Sequence, residues 1–152
     1  KGAVIFSKND NPIEPDEVYR HVSYAAPYID LIEELTLVEA IEFHKKFKPF
    51  LKNFQTKDLE DLLQFSKASH KEVKYFSSGM KQRLKLALTI CSDTEILLLD
   101  EPTTNLDKQG INWYLDLIEQ FRKDRLLVSA SNVETDFCFC EKQLNIQDYK
   151  TG

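Results

Sequence analysis

Two adjacent carboxylates, Asp100 and Glu101, close the apolar run Ile96-Leu97-Leu98-Leu99 and are followed by Pro102. A run this short and apolar reads as a strand buried on both faces, as in a parallel sheet. Such sheets take their ligands at the carboxyl ends of the strands. Asp100 and Glu101 stand at that end. Two neighbouring acids at the tip of a buried strand are costly unless a cation or a reaction uses them. An acidic surface turn after a strand is the plainer account of the same residues.

A second segment, Phe76-Ser77-Ser78-Gly79-Met80-Lys81-Gln82-Arg83, opens the strongest helical pattern in the chain. Small residues at a helix start make an anion site, because free N–H groups and the helix dipole both favour phosphate oxygens. Ser77 or Ser78 could add a hydroxyl donor. A serine N-cap explains the serines equally well. Thr103-Thr104-Asn105-Leu106-Asp107 follows the acids and reads by itself as a turn with a helix cap.

The elements that must position these groups alternate. Residues 3–6 and 18–24 read as short strands, with an Asn/Asp/Pro turn over 9–15. Residues 33–75 have a helical texture and read as an insertion between two α/β parts. There, Thr36 and Glu39 form a capping box, and Leu37, Ile41 and His44 recur at helical spacing. Thr56 is a second N-cap candidate, with Asp58 in its first turn. After Gly79, a helix presents Met80, Leu84, Ala87, Leu88 and Cys91 on one face. The strand at 96–99 follows, then a helix from Asp107 or Lys108 to Phe121 with Leu115, Ile118 and Phe121 facing the core. Residues 126–130 read as a further buried strand, 132–139 as a helix and 143–146 as a closing strand. Strand–helix–strand alternation implies a parallel sheet with right-handed crossovers.

Composition narrows the classes. The chain has 152 residues, 42% hydrophobic and 30% charged, enough for one domain with its own core. A net charge of -5 gives no general basic field for nucleic acid. No apolar run approaches the roughly 20 residues that span a bilayer. Cys91, Cys138 and Cys140 fit no zinc template and read as reduced thiols in the cytosol, the latter two in the core. His44 reads as packing, and His21 and His70 as solvated. The sequence begins at Lys1 and its only methionine is Met80, which predicts a processed chain or a piece of a longer one. The four glycines, Gly2, Gly79, Gly110 and Gly152, cannot build a G-x-x-x-x-G-K-[ST] phosphate loop.

Taken in order and spacing, the two motifs resemble the nucleotide-binding domains of ABC transporters. The family signature L-S-G-G-Q-x-Q-R stands against Phe76 to Arg83 here. The family's Walker B strand and loop, four apolar residues and then D-E-P-T-S-A-L-D, stand against Ile96 to Leu99 and Asp100-Glu101-Pro102-Thr103-Thr104-Asn105-Leu106-Asp107. The resemblance covers essentially the whole chain. It implies a P-loop NTPase-like α/β fold with a mostly parallel sheet. Residues 1–152 would be a partial ABC ATPase domain, with a helical subdomain at 33–75. The N-terminal strands and the phosphate loop would be missing, leaving an unpaired strand edge or a strand-paired or swapped dimer.

The resemblance also implies roles. Asp100 would hold Mg²⁺ and Glu101 would orient or deprotonate the attacking water. Ser77, Ser78, Gly79 and Met80 would belong to the signature that meets ATP held by the opposite subunit. Asn105 and Asp107 would lie in a loop crossing that dimer interface. Cofactors would be ATP and Mg²⁺. Partners would be a homodimeric or heterodimeric ATPase domain and a transmembrane permease, at the cytoplasmic face of the cell membrane. No nucleic-acid partner is expected. Three positions depart from the family. Pro27 occupies the place of its glutamine, Asn132 that of its histidine, and Met80 that of the signature's first glutamine. Two alternatives stand beside the transporter subunit. One is a degenerate, regulatory ABC domain with little hydrolysis; the other is a soluble non-transport ABC ATPase.

Overall fold

The computed structural model describes residues 3–51, 54–122 and 124–149. It opens on a small hairpin, β1 (Ser7–Lys8) and β2 (Asn11–Pro12), paired antiparallel. Asn9 and Asp10 turn it with φ of 51° and 63°. Two successive left-handed residues match the twist of a two-residue hairpin loop, and Asn and Asp tolerate them. A single 3-10 turn at Val18–Arg20 leads into β3 (Val22–Ala25). The expected strand at 3–6 is therefore absent, and the one expected at 18–24 forms only in its second half.

The helical stretch follows. Helix α1 (Leu37–Phe47) begins with the capping box: Glu39 N–H donates to Thr36 Oγ1 at 3.3 Å, and Thr36 N–H to Glu39 Oε2 at 2.8 Å. Helix α2 (Thr56–Leu63) is capped one residue earlier than expected, at Gln55, whose backbone N–H donates to Asp58 Oδ2 at 2.7 Å. It ends at Gln64, which takes a left-handed φ of 58°. Helix α3 (Ser78–Ile90), strand β4 (Ile96–Asp100), helix α4 (Lys108–Phe121) and strand β5 (Leu126–Ala130) complete the regular elements.

Strands β3, β4 and β5 form a parallel sheet with β4 in the middle, in the register Val22↔Ile96↔Leu126. The open edges are thus those of β3 and β5, and β4 is paired on both sides. Ser23, Ala25, Leu97 and Leu99 are buried on one face. Helix α3 packs against β3, and α4 packs on α3. The other face carries Val22, Tyr24, Ile96, Leu98, Asp100, Leu126 and Val128. Leu126 remains 61% exposed and Val128 48%. The expectation of a buried strand at 126–130 is corrected accordingly: its bounds hold, but it is an edge strand with an uncovered face.

One continuous core runs from the helical stretch to the sheet, through Leu37, Ile41, Leu59, Leu63, Leu84, Leu86, Leu97, Leu99, Leu117 and Ile118. The inner face of α4 centres on Tyr114, Leu117 and Ile118, with Leu115 and Phe121 only partly buried. Arg83 of α3 lies between the rings of Phe65 and Trp113, 5.1 Å and 4.6 Å from their centroids. It donates to Leu63 O at 3.0 Å, and Trp113 Nε1 donates to Leu62 O at 2.9 Å. These two donors satisfy the last carbonyls of α2. At the opposite end of the sheet, Arg125 donates to Ile90 O, Thr94 O, Thr94 Oγ1 and Ser23 Oγ. It thereby closes the C-terminus of α3 against the starts of all three strands.

Residues 132–139 form a single 3-10 turn at Glu134–Asp136 rather than a helix, and 143–146 form no strand; a second such turn spans Ile146–Tyr149. Ser131 Oγ donates to Asp136 Oδ2 at 2.6 Å and accepts from Val133 N–H at 3.0 Å. Such local side-chain bonds compete with helix formation. Cys138 is exposed and Cys140 half-buried, so neither is the core residue expected. No helix among the described residues is long and apolar enough to cross a membrane.

Candidate functional site

Asp100 ends β4 opposite Ala130 and is half-buried on the open face of the sheet. Glu101 N–H donates to Ala130 O at 2.9 Å, which adds one rung beyond the strand. Glu101 then takes a φ of 42°. A non-glycine residue in the left-handed region costs on the order of 1–3 kcal/mol and persists where its surroundings enforce it. The consequence is a sharp reversal that buries Pro102 and Thr103 and leaves the Glu101 side chain exposed. Thr104 N–H donates to Glu101 O at 3.1 Å, and Thr104 Oγ1 to Glu101 Oε2 at 3.4 Å.

The loop after the acids is fixed from both ends. Leu106 N–H returns to Thr103 O at 3.0 Å, with Asn105 at a φ of 67°. Asp107 is the N-cap of α4, its Oδ1 accepting from Gly110 N–H at 2.7 Å. The first turn of α3 lies against this loop. Ser77 is the N-cap of α3 and accepts from Met80 N–H at 3.2 Å. A Cβ on Gly79 would stand 3.1 Å from Asn105 O, so glycine is what lets the two backbones approach. Gln82, only 3% exposed, donates through Nε2 to Pro102 O at 2.8 Å.

The structure therefore brings the two motifs into contact. Gly79, between Ser78 and Met80 in the first turn of α3, lies against Asn105 O, and Asp100 and Glu101 stand at the near end of the same loop. Several side chains here are already engaged locally: the Ser77 hydroxyl and the Asp107 carboxylate each as a helix cap, and the Glu101 carboxylate with Thr104 Oγ1. Pro27 lies two residues past the end of β3, half-buried. Asn132 is exposed two residues past the end of β5. Both sit at the carboxyl edge of the sheet with the acids.

Three residues at this edge, Lys85, Tyr24 and Tyr28, carried no signal in the sequence. Gln82 was legible only as a residue of the signature segment; its burial and its bond to Pro102 O were not. Lys85 reads as a solvated lysine, yet its Nζ donates to Ala26 O and Pro27 O, both at 3.2 Å. Tyr24 and Tyr28 read as strand and turn residues, yet their hydroxyls are hydrogen-bonded to each other. That bond, with burial and the Asp100 charge adding to it, pushes the Tyr24 phenol up to about 12.

Among the described residues no cluster of three or more His, Cys, Asp or Glu could hold a metal by itself. Mg²⁺ is typically bound through one or two carboxylates together with water and substrate phosphates. Asp100 with Glu101 fits that ion when a phosphate-bearing ligand completes the shell.

A family model described as ABC transporter matches residues 1–104, more than half of the chain. The chain belongs to the ABC transporter family. This ABC chain is 30% identical over 132 residues to the uncharacterized ABC transporter ATP-binding protein YcbN of Bacillus subtilis, a match covering 85% of the chain and 43% of that protein. Its fold matches a solved ATP-binding subunit of an ABC transporter with a TM-score of 0.70 at 24% identity, over 84% of this chain and 55% of that one. It matches a dimeric bacterial ABC transporter cassette with a TM-score of 0.63 at 18% identity, over 82% and 60%. The chain spans less than two thirds of the length of each. The fold class is that of an ABC domain: α/β, with a parallel sheet and helices.

Proposed function

We propose that this ABC chain is part of an ATP-hydrolysing subunit that powers transport through a membrane permease. The contact between its two motifs carries the reading: Gln82 bonded to Pro102 O, and Gly79 against Asn105 O, beside the carboxylates of Asp100 and Glu101. Mg²⁺, when bound, would neutralise charge on the phosphates. Asp100 would hold that ion from the end of β4. Glu101, exposed and turned outward by its left-handed backbone, would orient the attacking water and take its proton. The first turn of α3, at Ser78 and Gly79, would offer N–H groups to phosphate oxygens of a nucleotide carried by a second ATPase domain, while the Met80 N–H serves the Ser77 cap. Asn105 and Asp107 would lie where the two domains cross.

Two features support a partner-dependent site. The chain holds no glycine-rich phosphate cradle, so the cradle would come from the portion of the domain that it does not span. The same portion would cover the apolar face bearing Leu126 and Val128, since parallel sheets are ordinarily covered on both faces. Residues 33–75 would form the helical subdomain that meets the permease. The exposed rings of Phe43 and Phe47, 5.0 Å apart on α1, suit such a contact. The subunit would work at the cytoplasmic face of the membrane.

The test is Mg²⁺-dependent phosphate release from ATP by the full-length protein, with Glu101→Gln as control. Turnover lost in the variant with nucleotide binding retained supports the reading. A wild-type protein that binds ATP tightly without turnover supports a regulatory ABC domain instead. That second reading is favoured by Asn132, whose amide can donate a hydrogen bond but carries no positive charge.

A further inference from the structure

The tyrosine pair beside Asp100 is held more firmly than two exposed side chains require. Tyr24 projects from β3 on the open face of the sheet, opposite Leu98. Asp100 lies on the same face of the neighbouring strand, two residues beyond Leu98, roughly 6.6 Å along it. Past β3 the chain turns, and the turn is clamped from α3. Lys85 Nζ donates to Ala26 O and Pro27 O at 3.2 Å, and Thr89 Oγ1 to Tyr24 O at 3.3 Å. Ile29 N–H closes back to Ala26 O at 3.2 Å. This clamp buries Ala26, half-buries Pro27, and folds Tyr28 back over Tyr24. The ring centroids stand 6.2 Å apart, and the hydroxyls meet. Tyr28 is 70% exposed, so burial does not hold it there.

We propose that the Tyr28 hydroxyl, oriented by Tyr24, hydrogen-bonds the water shell of the cation held at Asp100. The proposal rests on the ATPase reading above. A neutral phenol is a poor direct ligand for Mg²⁺, which keeps several of its waters. Those waters are strong donors, and a phenol oxygen is an acceptor. When Tyr28 donates to Tyr24, its own lone pairs are left for such a water. Pro27, at the position of the family's glutamine, offers no side-chain polar group. The clamped turn presents the polar group one residue later, and Tyr24 fixes its direction. Tyr28 touches the cation's water; Tyr24 is a positioning residue.

The experiment measures ATP affinity of the full-length protein by calorimetry, once with Mg²⁺ and once with EDTA. Thermal melts establish that each variant is folded. Tyr28→Phe, which removes one oxygen, is expected to weaken Mg²⁺–ATP binding about 3- to 10-fold and leave binding in EDTA unchanged. Tyr24→Phe is expected to show a smaller loss of the same kind. The wild type should also give a tyrosine absorbance change when Mg²⁺ is added to the ATP complex, reduced in Tyr28→Phe. Equal Mg²⁺–ATP affinity in Tyr28→Phe and wild type overturns the proposal and leaves the ATPase reading standing. Equal weakening with and without Mg²⁺ also overturns it, since the hydroxyl then contacts the nucleotide. A wild type that binds no Mg²⁺–ATP overturns both.

Discussion

The side-chain amide of Gln82 donates to the carbonyl oxygen of Pro102 at 2.8 Å, joining the first turns of α3 to the loop behind the two acids. Both residues are buried. The bond spans 20 residues of sequence and couples segments that share no strand pairing. Any shift of the α3 N-terminus therefore reaches the backbone next to Glu101.

Removing that bond is expected to be costly. Gln82→Leu fills much of the same space and leaves Pro102 O buried without a donor, a loss of about 1–3 kcal/mol. Urea denaturation should show a lower midpoint with an unchanged slope. Phosphate release should fall further than the stability change explains, because the acid loop loses its anchor. A variant with full turnover would show that the bond is structural only.

Glu101 illustrates a conflict between stability and use. Its φ of 42° suits glycine, so Glu101→Gly is expected to stabilise the fold by about 1 kcal/mol, while Glu101→Gln leaves stability within about 0.5 kcal/mol. Both should abolish turnover. Thermal melts of the two variants side by side check the difference; a destabilised Glu101→Gly would show that the backbone there is unstrained.

These two residues mark what the sequence could and could not reveal. The strand before Asp100, the bounds of β5 and the Thr36–Glu39 capping box follow from apolar run length and local cap chemistry, which act over a few residues. The short motif residues were legible for the same reason. The contacts of Gln82 and Lys85 were not, because their partners lie across the fold and polar residues in a helix read as solvated; the Tyr24–Tyr28 contact was not, because it depends on the turn between them. The C-terminal stretch misled for a physical reason. Its apolar residues suggested a helix and a strand, but Ser131 Oγ, bonded to Asp136 Oδ2, takes the Val133 N–H locally, and only short 3-10 turns form.

Asp107 caps α4, and the role proposed for it at a dimer interface is separable from that cap. As the N-cap of α4 it needs only a side-chain oxygen, which asparagine also supplies. Asp107→Asn is expected to melt within a degree or two of wild type, whereas Asp107→Ala loses about 1 kcal/mol. If the charge serves a contact with a second ATPase domain, Asp107→Asn should weaken nucleotide-dependent dimerisation in sedimentation or light scattering. Unchanged dimerisation confines Asp107 to its cap.

His44 should dominate the mild-acid stability profile. Its Nε2 lies 2.8 Å from Ser92 Oγ, and Ser92 Oγ donates to Leu88 O at 2.6 Å, so the imidazole is the donor of that pair. Burial first, and then the charge of Lys48, push its pKa from 6.5 down to about 4. The unfolded chain thus binds a proton that the folded chain refuses between these values. Stability is full above pH 6.5 and is lost as pH falls towards 4, by about 2 kcal/mol between pH 7 and pH 5. Below that range Glu95, held down to about 2 chiefly by its bond from Lys8, adds a loss in the same direction. His44→Gln should flatten the pH 7-to-5 slope in denaturation experiments. An undiminished slope would place the titrating group elsewhere.

Arg83 tests how the helical stretch is fastened to the sheet. Its guanidinium is planar, stacks between Phe65 and Trp113, and still reaches Leu63 O. Lysine cannot reproduce a stacked fork. Arg83→Lys is expected to cost about 1–2 kcal/mol, from one hydrogen bond and the paired ring contacts together. The loss should be local before it is global, because Arg83 and Trp113 hold the last two carbonyls of α2. Amide exchange across Thr56–Leu63 should therefore accelerate in Arg83→Lys while exchange in β4 does not. Uniform acceleration in both segments would mean that the helical stretch and the sheet open as one unit, with Arg83 serving the core rather than the junction.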